Sequence, residues 1–526
     1  MGIISFVGFT LLVAIISYIA TRKTDETSSE GYFLGGRSLT AIVIAGSLLL
    51  TNLSTEQIVG LNGQSYTEGI LVMAWETLAA IAMVITAVFL LPRYLKGGIT
   101  TVPQFLERRY DTTTKAITSG LFLTGYVVVF LPIVLYSGSL AISTMFDIPD
   151  LLGVSKSTSI WMCVIGIGVI GSIYAIFGGL KAVAVSDTIN AVGLLIGGIM
   201  IPIFGLLEVG GGSMLEGINR VMTTNPEKFR VIGDSDSSIP FATIFTGMML
   251  VQLFYWGTNQ AIIQRALGAK NLKEGQKGLL LGSFIKILGP IIVVLPGIIA
   301  FHMFGDKLSN ADEAYPTLVS EVLPLSLVGF FAAVLFGAIL SSFNSALNSS
   351  VTLFGIDIYK EYFNKEASEK QVVKAGKLFG VFLAVFAMMI APFIANAPDG
   401  LFGYLQKVNG CYSIPILTII VVGYLTKKVP AIAAKIAIIS GATFYLIYVV
   451  LDATILKGDF PHFLHVMAIL FVINIIIMLA IGKLYPREKA YEQKYTMEVD
   501  ITPWKYTKII GVVICLIVIS TYIYFK

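Results

Sequence analysis

Charge is what this sequence lacks most. Only 13% of its 526 residues are charged, against 56% hydrophobic, and its mean hydropathy is +0.83. Soluble domains carry about 25% charged residues. A water-soluble fold of this size would therefore expose apolar surface that it has no charge to cover. Cysteine is scarce too. Cys163, Cys411 and Cys515 each lie within apolar runs, which excludes a disulfide framework or a cysteine metal site. His302, His462 and His465 have no ligand spacing. There is no low-complexity tract, no nucleotide-binding loop and no nucleophile paired with a base, so nothing points to catalysis or to a nucleic-acid partner. Gly166-x-Gly168-x-x-Gly171 matches a dinucleotide fingerprint, but no strand precedes it; like Gly193-xxx-Gly197, it reads as a helix-packing pattern.

What the chain has instead is long apolar runs. A helix needs about 20 apolar residues to cross a bilayer. Fourteen stretches qualify: 3–20, 40–62, 70–92, 115–145, 158–177, 183–206, 239–257, 279–303, 325–352, 375–394, 401–426, 431–451, 463–483 and 508–525. The fold class is accordingly an all-α polytopic membrane protein, with the lipid bilayer as its first partner. The run from Ile3 to Ala20 has no basic residue before it, and Arg22 and Lys23 follow it, so it reads as a retained helix rather than a signal peptide. Connections then alternate in charge. One set holds most of the 36 Lys and Arg; the other holds Lys156, Arg220, Lys228, Arg230, Lys307, Lys457 and Lys526. The positive-inside rule puts the richer set in the cytoplasm and both termini outside a plasma membrane. The outer loop 207–238 has room for a helix or two, and the charged segment 484–507 is expected along the inner membrane surface. No appended soluble domain is expected.

Four places interrupt the apolar pattern. Inside hydrocarbon, polar groups face a cavity, pair, or carry function. Thr51-Asn52-Leu53-Ser54-Thr55-Glu56-Gln57 makes a poor continuous helix, and Ser54 and Gln57 have capping-box spacing for a second half-helix. A polar contact between packed helices would use the same residues. Gln252 to Gln260 interrupts the chain again five spans later. Five is odd, so the two halves have inverted topology, and paired interruptions of this kind mark a transported solute's site; chance would also place two polar stretches so.

Glu76, Asp187 and Lys286 are lone charges. A lysine near a span end snorkels readily. Facing one cavity, however, an acid and a lysine grip ring hydroxyls, the carboxylate accepting and the ammonium donating. Asp187 lies near the inner end of its span, where solvation alone would explain it. Ala338, Ser341 and Ser342 share one helical face. Those hydroxyls, with carbonyls freed by an unwound helix, suit a hard cation; serines also line ordinary membrane-helix contacts.

Asn52-Leu-Ser-Thr-Glu56-Gln57, Trp75-Glu76, Tyr255-Trp256-Gly-Thr-Asn259-Gln260, Ile263-Gln264-Arg265, Ser341-Ser342 and Asp357-Ile-Tyr359-Lys360-Glu361 together resemble the sodium/solute symporter family, in its bacterial sodium/galactose and animal sodium/glucose branch. The resemblance implies a leucine-transporter-type core of two inverted five-helix repeats, at 40–206 and 239–426. The first helix and its connection (1–39) precede them, loop 207–238 separates them, and three peripheral helices (427–526) follow. It implies a symporter importing a galactose- or glucose-like hexose by alternating access, with Na+ as coupling ion and no organic cofactor. Carried over by position, Gln57, Glu76 and Asn52 meet the sugar from the first repeat, and Gln252, Lys286 and Gln406 from the second, with Tyr255 stacked beneath. Leu61, Trp75 and Phe402 form the outer gate. Carbonyls of Leu50, Leu53 and Ala338 and hydroxyls of Ser341 and Ser342 hold sodium, and Asp187 lies on its exit route.

Three departures stand out. Gln252 replaces an asparagine and Trp75 a tyrosine, and Asn344 and Ser345 stand where some relatives hold a second sodium, which argues against one here. A carboxylate substrate would call for an arginine in the cavity. The mid-span cations are Lys286 and Lys407, and Glu76 would repel an anion, so a sugar or a polyol such as inositol is favoured. An uncoupled channel or sensor on the same fold is the reading from another class.

Overall fold

The computed structural model describes residues 2–21, 28–308, 310–396, 401–456 and 461–525. Among them the only β-type pairing is an isolated bridge between Leu39 and Ala269; everything else is helix or connection. Eleven helices are long and apolar enough to cross a membrane, and a bent pair makes twelve. The principal helices are α1 (Gly2–Thr21), α2 (Ala41–Asn52), α3 (Thr55–Glu68), α4 (Ala74–Ile85), α5 (Val102–Arg109), α6 (Thr112–Met145) and α7 (Lys156–Val209). They continue with α8 (Gly247–Gly257), α9 (Gln260–Leu267), α10 (Leu272–Ile287), α11 (Gly289–Phe304), α12 (Leu325–Thr352) and α13 (Glu369–Ile390). The last four are α14 (Leu401–Leu425), α15 (Ala431–Leu451), α16 (Phe463–Leu484) and α17 (Thr507–Tyr524).

Burial sorts these helices into two groups. The segments Thr55–Lys96, Thr112–Met145, Leu325–Phe363 and Phe402–Leu425 are mostly buried, whereas α1, α13, α15, α16 and α17 turn most of their residues outward. The outward side chains are apolar, as in Ile15, Phe382, Ile447, Ile476 and Ile519. Water would not tolerate a surface of that extent, and lipid does.

Proline and glycine set the irregularities. Two π-helical turns, Thr86–Leu90 and Tyr126–Phe130, each end just before a proline (Pro92, Pro132). Proline lacks an N–H and crowds the carbonyl four residues back, and a widened turn relieves both. Gly179 divides α7 with φ +59 and ψ −176, a conformation closed to side-chain residues. Tyr32 backs onto this bend, its hydroxyl donating to the carbonyl of Ile176 (2.9 Å). Of the five glycines set aside above as packing sites, Gly168, Gly171, Gly193 and Gly197 lie against Met388, Phe343, Val334 and Phe331, while Gly166 faces open space.

At the end of the bundle that carries most of the lysines and arginines, the segment between α16 and α17 runs across the helix ends without helical structure of its own. Its backbone amides donate to Lys428 (from Arg487), Lys427 (from Tyr491) and Lys96 (from Thr496), and its Asp500 carbonyl accepts from Leu272. The charged segment expected on a membrane surface is thus bonded to the helix ends.

Candidate functional site

Two breaks organise the interior. Leu53 leaves the helix with ψ +56 and Ser54 is extended, so α2 ends and α3 begins within two residues. The opposing break falls at Thr258–Asn259, where Asn259 caps α9 by accepting from the Ala261 amide (3.0 Å). Residues 252–257, expected within the interruption, complete α8 instead. Ends of this kind leave carbonyls of α2 and amides of α9 without helical partners. The expected capping box does not form. The Ser54 hydroxyl bonds to the Glu56 carboxylate, and Gln57 reaches elsewhere.

Gln57 donates to Glu76 Oε1 (2.7 Å), and Lys286 Nζ stands 2.5 Å from Glu76 Oε2. Glu76 opens α4 and Lys286 closes α10, and at 0% and 1% exposure neither meets water. They do not face a cavity as separate arms; they pair. Gly289 makes the pairing possible, because a Cβ there would sit 2.2 Å from Glu76 Oε2. The Trp256 ring lies 5.7 Å from the ammonium. Gln252 donates to the Trp75 backbone carbonyl (2.8 Å) and accepts from the Trp256 indole (3.2 Å), which ties the Trp256 ring to the start of α4.

Beside this triad both breaks line one cavity of about 20 Å³, room for about one water. Of the residues expected to meet a solute, its walls include Gln57, Tyr255 and Gln406 but not Asn52, Glu76, Gln252 or Lys286; they also include Tyr126, Asn259 and Tyr412, to which sequence reasoning assigned no role. Tyr126 donates to Asn259 Oδ1 (2.6 Å) and accepts from Ala261 N (3.0 Å), tying α6 to the second break.

An apolar layer covers this chamber on one side. The Trp75 and Phe402 rings meet edge-on at 5.2 Å, Leu61 is fully buried, and Gly60 packs so closely that a Cβ would lie 2.7 Å from that of Phe402. Beyond it opens a cavity of about 660 Å³ at the end away from the lysines and arginines. Lys407 lines that larger cavity and pairs with Asp452, so it is not a charge of the chamber.

Of the expected cation ligands, Ser341 and Ser342 meet the end of α2 through Thr51, which was not named among them. Ser342 Oγ donates to the Thr51 carbonyl (2.8 Å), and Thr51 Oγ1 lies 3.4 Å from Ser341 Oγ and 3.1 Å from Ser345 Oγ. Leu50, Leu53 and Ala338 are buried in the same region. Asp187 is not solvated, being 1% exposed, and it accepts from Ser47 Oγ at 2.6 Å. The residue overlooked here is Arg265. It is fully buried, with Nε 3.2 Å from Ser47 Oγ and a further bond to Ser345. An arginine among the apolar residues and glutamines of a short helix was the signal available, but α9 has only eight residues and reads as loop.

Comparison with known proteins now decides the family. The model of the sodium:solute symporter family matches residues 32–441. The chain belongs to the sodium:solute symporter family. It is therefore a multi-pass membrane protein, a sodium-coupled solute symporter. The symporter is 50% identical over 520 residues to an uncharacterized symporter, YidK, of Escherichia coli, covering 99% of this chain and 90% of that one. It is 32% identical over 473 residues to a sodium/glucose cotransporter of Vibrio parahaemolyticus, covering 85% of each. In structure it matches a Na+-coupled sialic acid symporter in a substrate-bound outward-open state, with a TM-score of 0.78 over 94% of this chain and 99% of the other, at 20% identity.

Proposed function

We propose that the symporter imports a neutral hexose of the galactose or glucose type with sodium, by alternating access between two inverted five-helix repeats. On the orientation that the positive-inside rule gives, the 660 Å³ cavity opens outside and the end crossed by the segment between α16 and α17 faces the cytoplasm. The observation that carries the reading is the Gln57–Glu76–Lys286 triad. A paired acid and base has no net charge to offer an ion, but it holds strong acceptors and donors at hydroxyl spacing. Gln252 and Gln406 add neutral amides, and Tyr255 and Trp256 add ring faces. The sodium/glucose relative points the same way.

The chamber holds about one water in this state, so a hexose enters only when the apolar layer of Leu61, Trp75 and Phe402 parts. Sodium at the carbonyls of Leu50, Leu53 and Ala338 and the hydroxyls of Ser341 and Ser342 offsets the exposed end of the α2 dipole and favours the outward-open arrangement. Solute hydroxyls then replace part of the Glu76–Lys286 contact. The layer closes over the solute and the repeats rock. Coupling requires only that each ligand favours one arrangement over the other. A polyol such as inositol would meet the same donors and acceptors and is the second reading.

The test is uptake of labelled hexoses and polyols into proteoliposomes with and without an inward sodium gradient. The expected result is gradient-driven uptake of a hexose, lost in Ser342→Ala. Sodium-independent uptake, or sodium dependence unchanged in Ser342→Ala, would overturn the ion-site reading; gradient-driven uptake of polyols alone would overturn the substrate.

A further inference from the structure

Arg265 occupies a position that helix capping does not explain. A bland account has it closing α9, and one contact fits, since Nη1 donates to the Ala261 carbonyl one turn back. The other two nitrogens leave the helix. Nε reaches Ser47 on α2 and Nη2 reaches Ser345 on α12, both of them fully buried.

These two hydroxyls are not bystanders. Ser345 donates to the Ser341 carbonyl (2.6 Å) and shares Thr51 Oγ1 with Ser341. On the other side Ser47 donates to Asp187 (2.6 Å). The guanidinium thus stands one hydroxyl away from the buried anion and one away from the serines of the proposed ion site. Arg265 and Asp187 together leave this region with no net charge. A sodium ion arriving at Ser341 and Ser342 adds a positive charge beside a cation that stays ionised at any working pH. In a dry interior the repulsion is barely screened.

We infer that Arg265 is a tethered counter-cation of the sodium site, which satisfies Asp187 and Ser345 when sodium is away and lowers sodium affinity enough for release. The inference rests on Ser341 and Ser342 being the sodium ligands. It assigns Arg265 a positioning and tuning role, with no contact to the solute.

The experiment measures sodium binding without transport, as the sodium concentration giving half-maximal thermal protection of purified full-length protein in sugar-free choline buffer. Arg265→Gln is expected to lower that concentration at least fivefold, and Asp187→Asn to raise it at least fivefold. The double variant should return to within about threefold of the parent, and Arg265→Lys, which keeps the charge, should stay within threefold. Should Arg265→Gln not fold, Arg265→Met substitutes an apolar side chain for the buried charge and carries the same expectation. In proteoliposomes Arg265→Gln and Arg265→Met should keep solute exchange and lose net uptake, because sodium leaves slowly.

A purely structural arginine would lower stability in every variant, lysine included, without tightening sodium. Unchanged or weaker sodium binding in Arg265→Gln or Arg265→Met, or a double variant that does not return toward the parent, overturns the inference. Ser342→Ala separates the two levels of failure. If it abolishes sodium protection while Arg265 variants change nothing, the arginine's role is wrong; if it changes nothing, the ion site is misplaced.

Discussion

Glu76 and Lys286 are 210 residues apart in the chain, and their charged groups stand 2.5 Å apart, sealed from solvent. Such a pair is a poor source of stability but a costly one to break. Removing one partner of a buried pair leaves an uncompensated charge at a cost of about 3–5 kcal/mol, whereas removing both together is often neutral. Glu76→Gln and Lys286→Met are each expected to lower the melting temperature and abolish uptake. The double variant should regain most of the stability and none of the uptake. Thermal unfolding in detergent beside proteoliposome uptake checks this, and a double variant no more stable than either single one would count against the pair as described.

The close approach of Gly60 to Phe402 makes a second expectation. Any side chain at position 60 meets the Phe402 Cβ at less than contact distance. Gly60→Val should hold the Leu61–Trp75–Phe402 layer apart, so that net uptake falls at least tenfold while solute binding to the purified protein persists. Equilibrium binding and uptake on the same preparation separate these effects. Loss of both together would place Gly60 in folding rather than in closure.

Tyr126 braces the second break by giving one hydrogen bond to Asn259 and taking one from Ala261. Tyr126→Phe removes both bonds but leaves Asn259 Oδ1 and the Ala261 amide bonded to each other, so the loss is about 0.5–1.5 kcal/mol per bond. Faster amide exchange confined to α9 is the expected signature, read by hydrogen–deuterium exchange; uniform acceleration over the whole chain would contradict it.

Asp357 lies in the π-helical turn that continues α12, fully buried, and accepts from Thr101 (3.0 Å) and Ser119 (3.0 Å). Lys115 beside it binds Glu107 (2.8 Å) and Glu361 (3.2 Å). Thr101 is also the N-cap of α5. Asp357→Ala should therefore loosen α5 before anything else, seen as faster exchange over Val102–Arg109, with Asp357→Asn milder. Equal effects of the two substitutions would indicate that packing, not the carboxylate, holds α5.

The breaks were legible because hydrocarbon penalises polar side chains whatever their neighbours, so Thr51–Gln57 and the stretch ending at Gln260 announce themselves locally. Partners were less legible. Gln57 has capping-box spacing, yet a carboxylate that opens another helix outbids its own backbone for that amide. Asp187 reads as near the surface because span position is guessed from hydropathy, while its burial depends on Ser47, which comes from a different helix. Arg265 stood among the family-like stretches but was given no role, because a helix of eight residues has no periodicity to display. The sodium ligands drew most on family likeness, since two serines on one face are common in any membrane bundle.

The unstructured crossing between α16 and α17 has a mechanical corollary. Tyr491 is bonded to Lys427, after α14, and Thr496 to Lys96, beyond α4. Five residue steps join those anchors, and a fully extended chain spans at most about 3.3–3.6 Å per residue. The Tyr491 and Thr496 amides can therefore lie no farther apart than roughly 17–18 Å, and each helix end follows at one hydrogen bond's length until that bond gives way. The segment is a leash of known length, and its slack sets an upper bound on how wide that end of the bundle can gape.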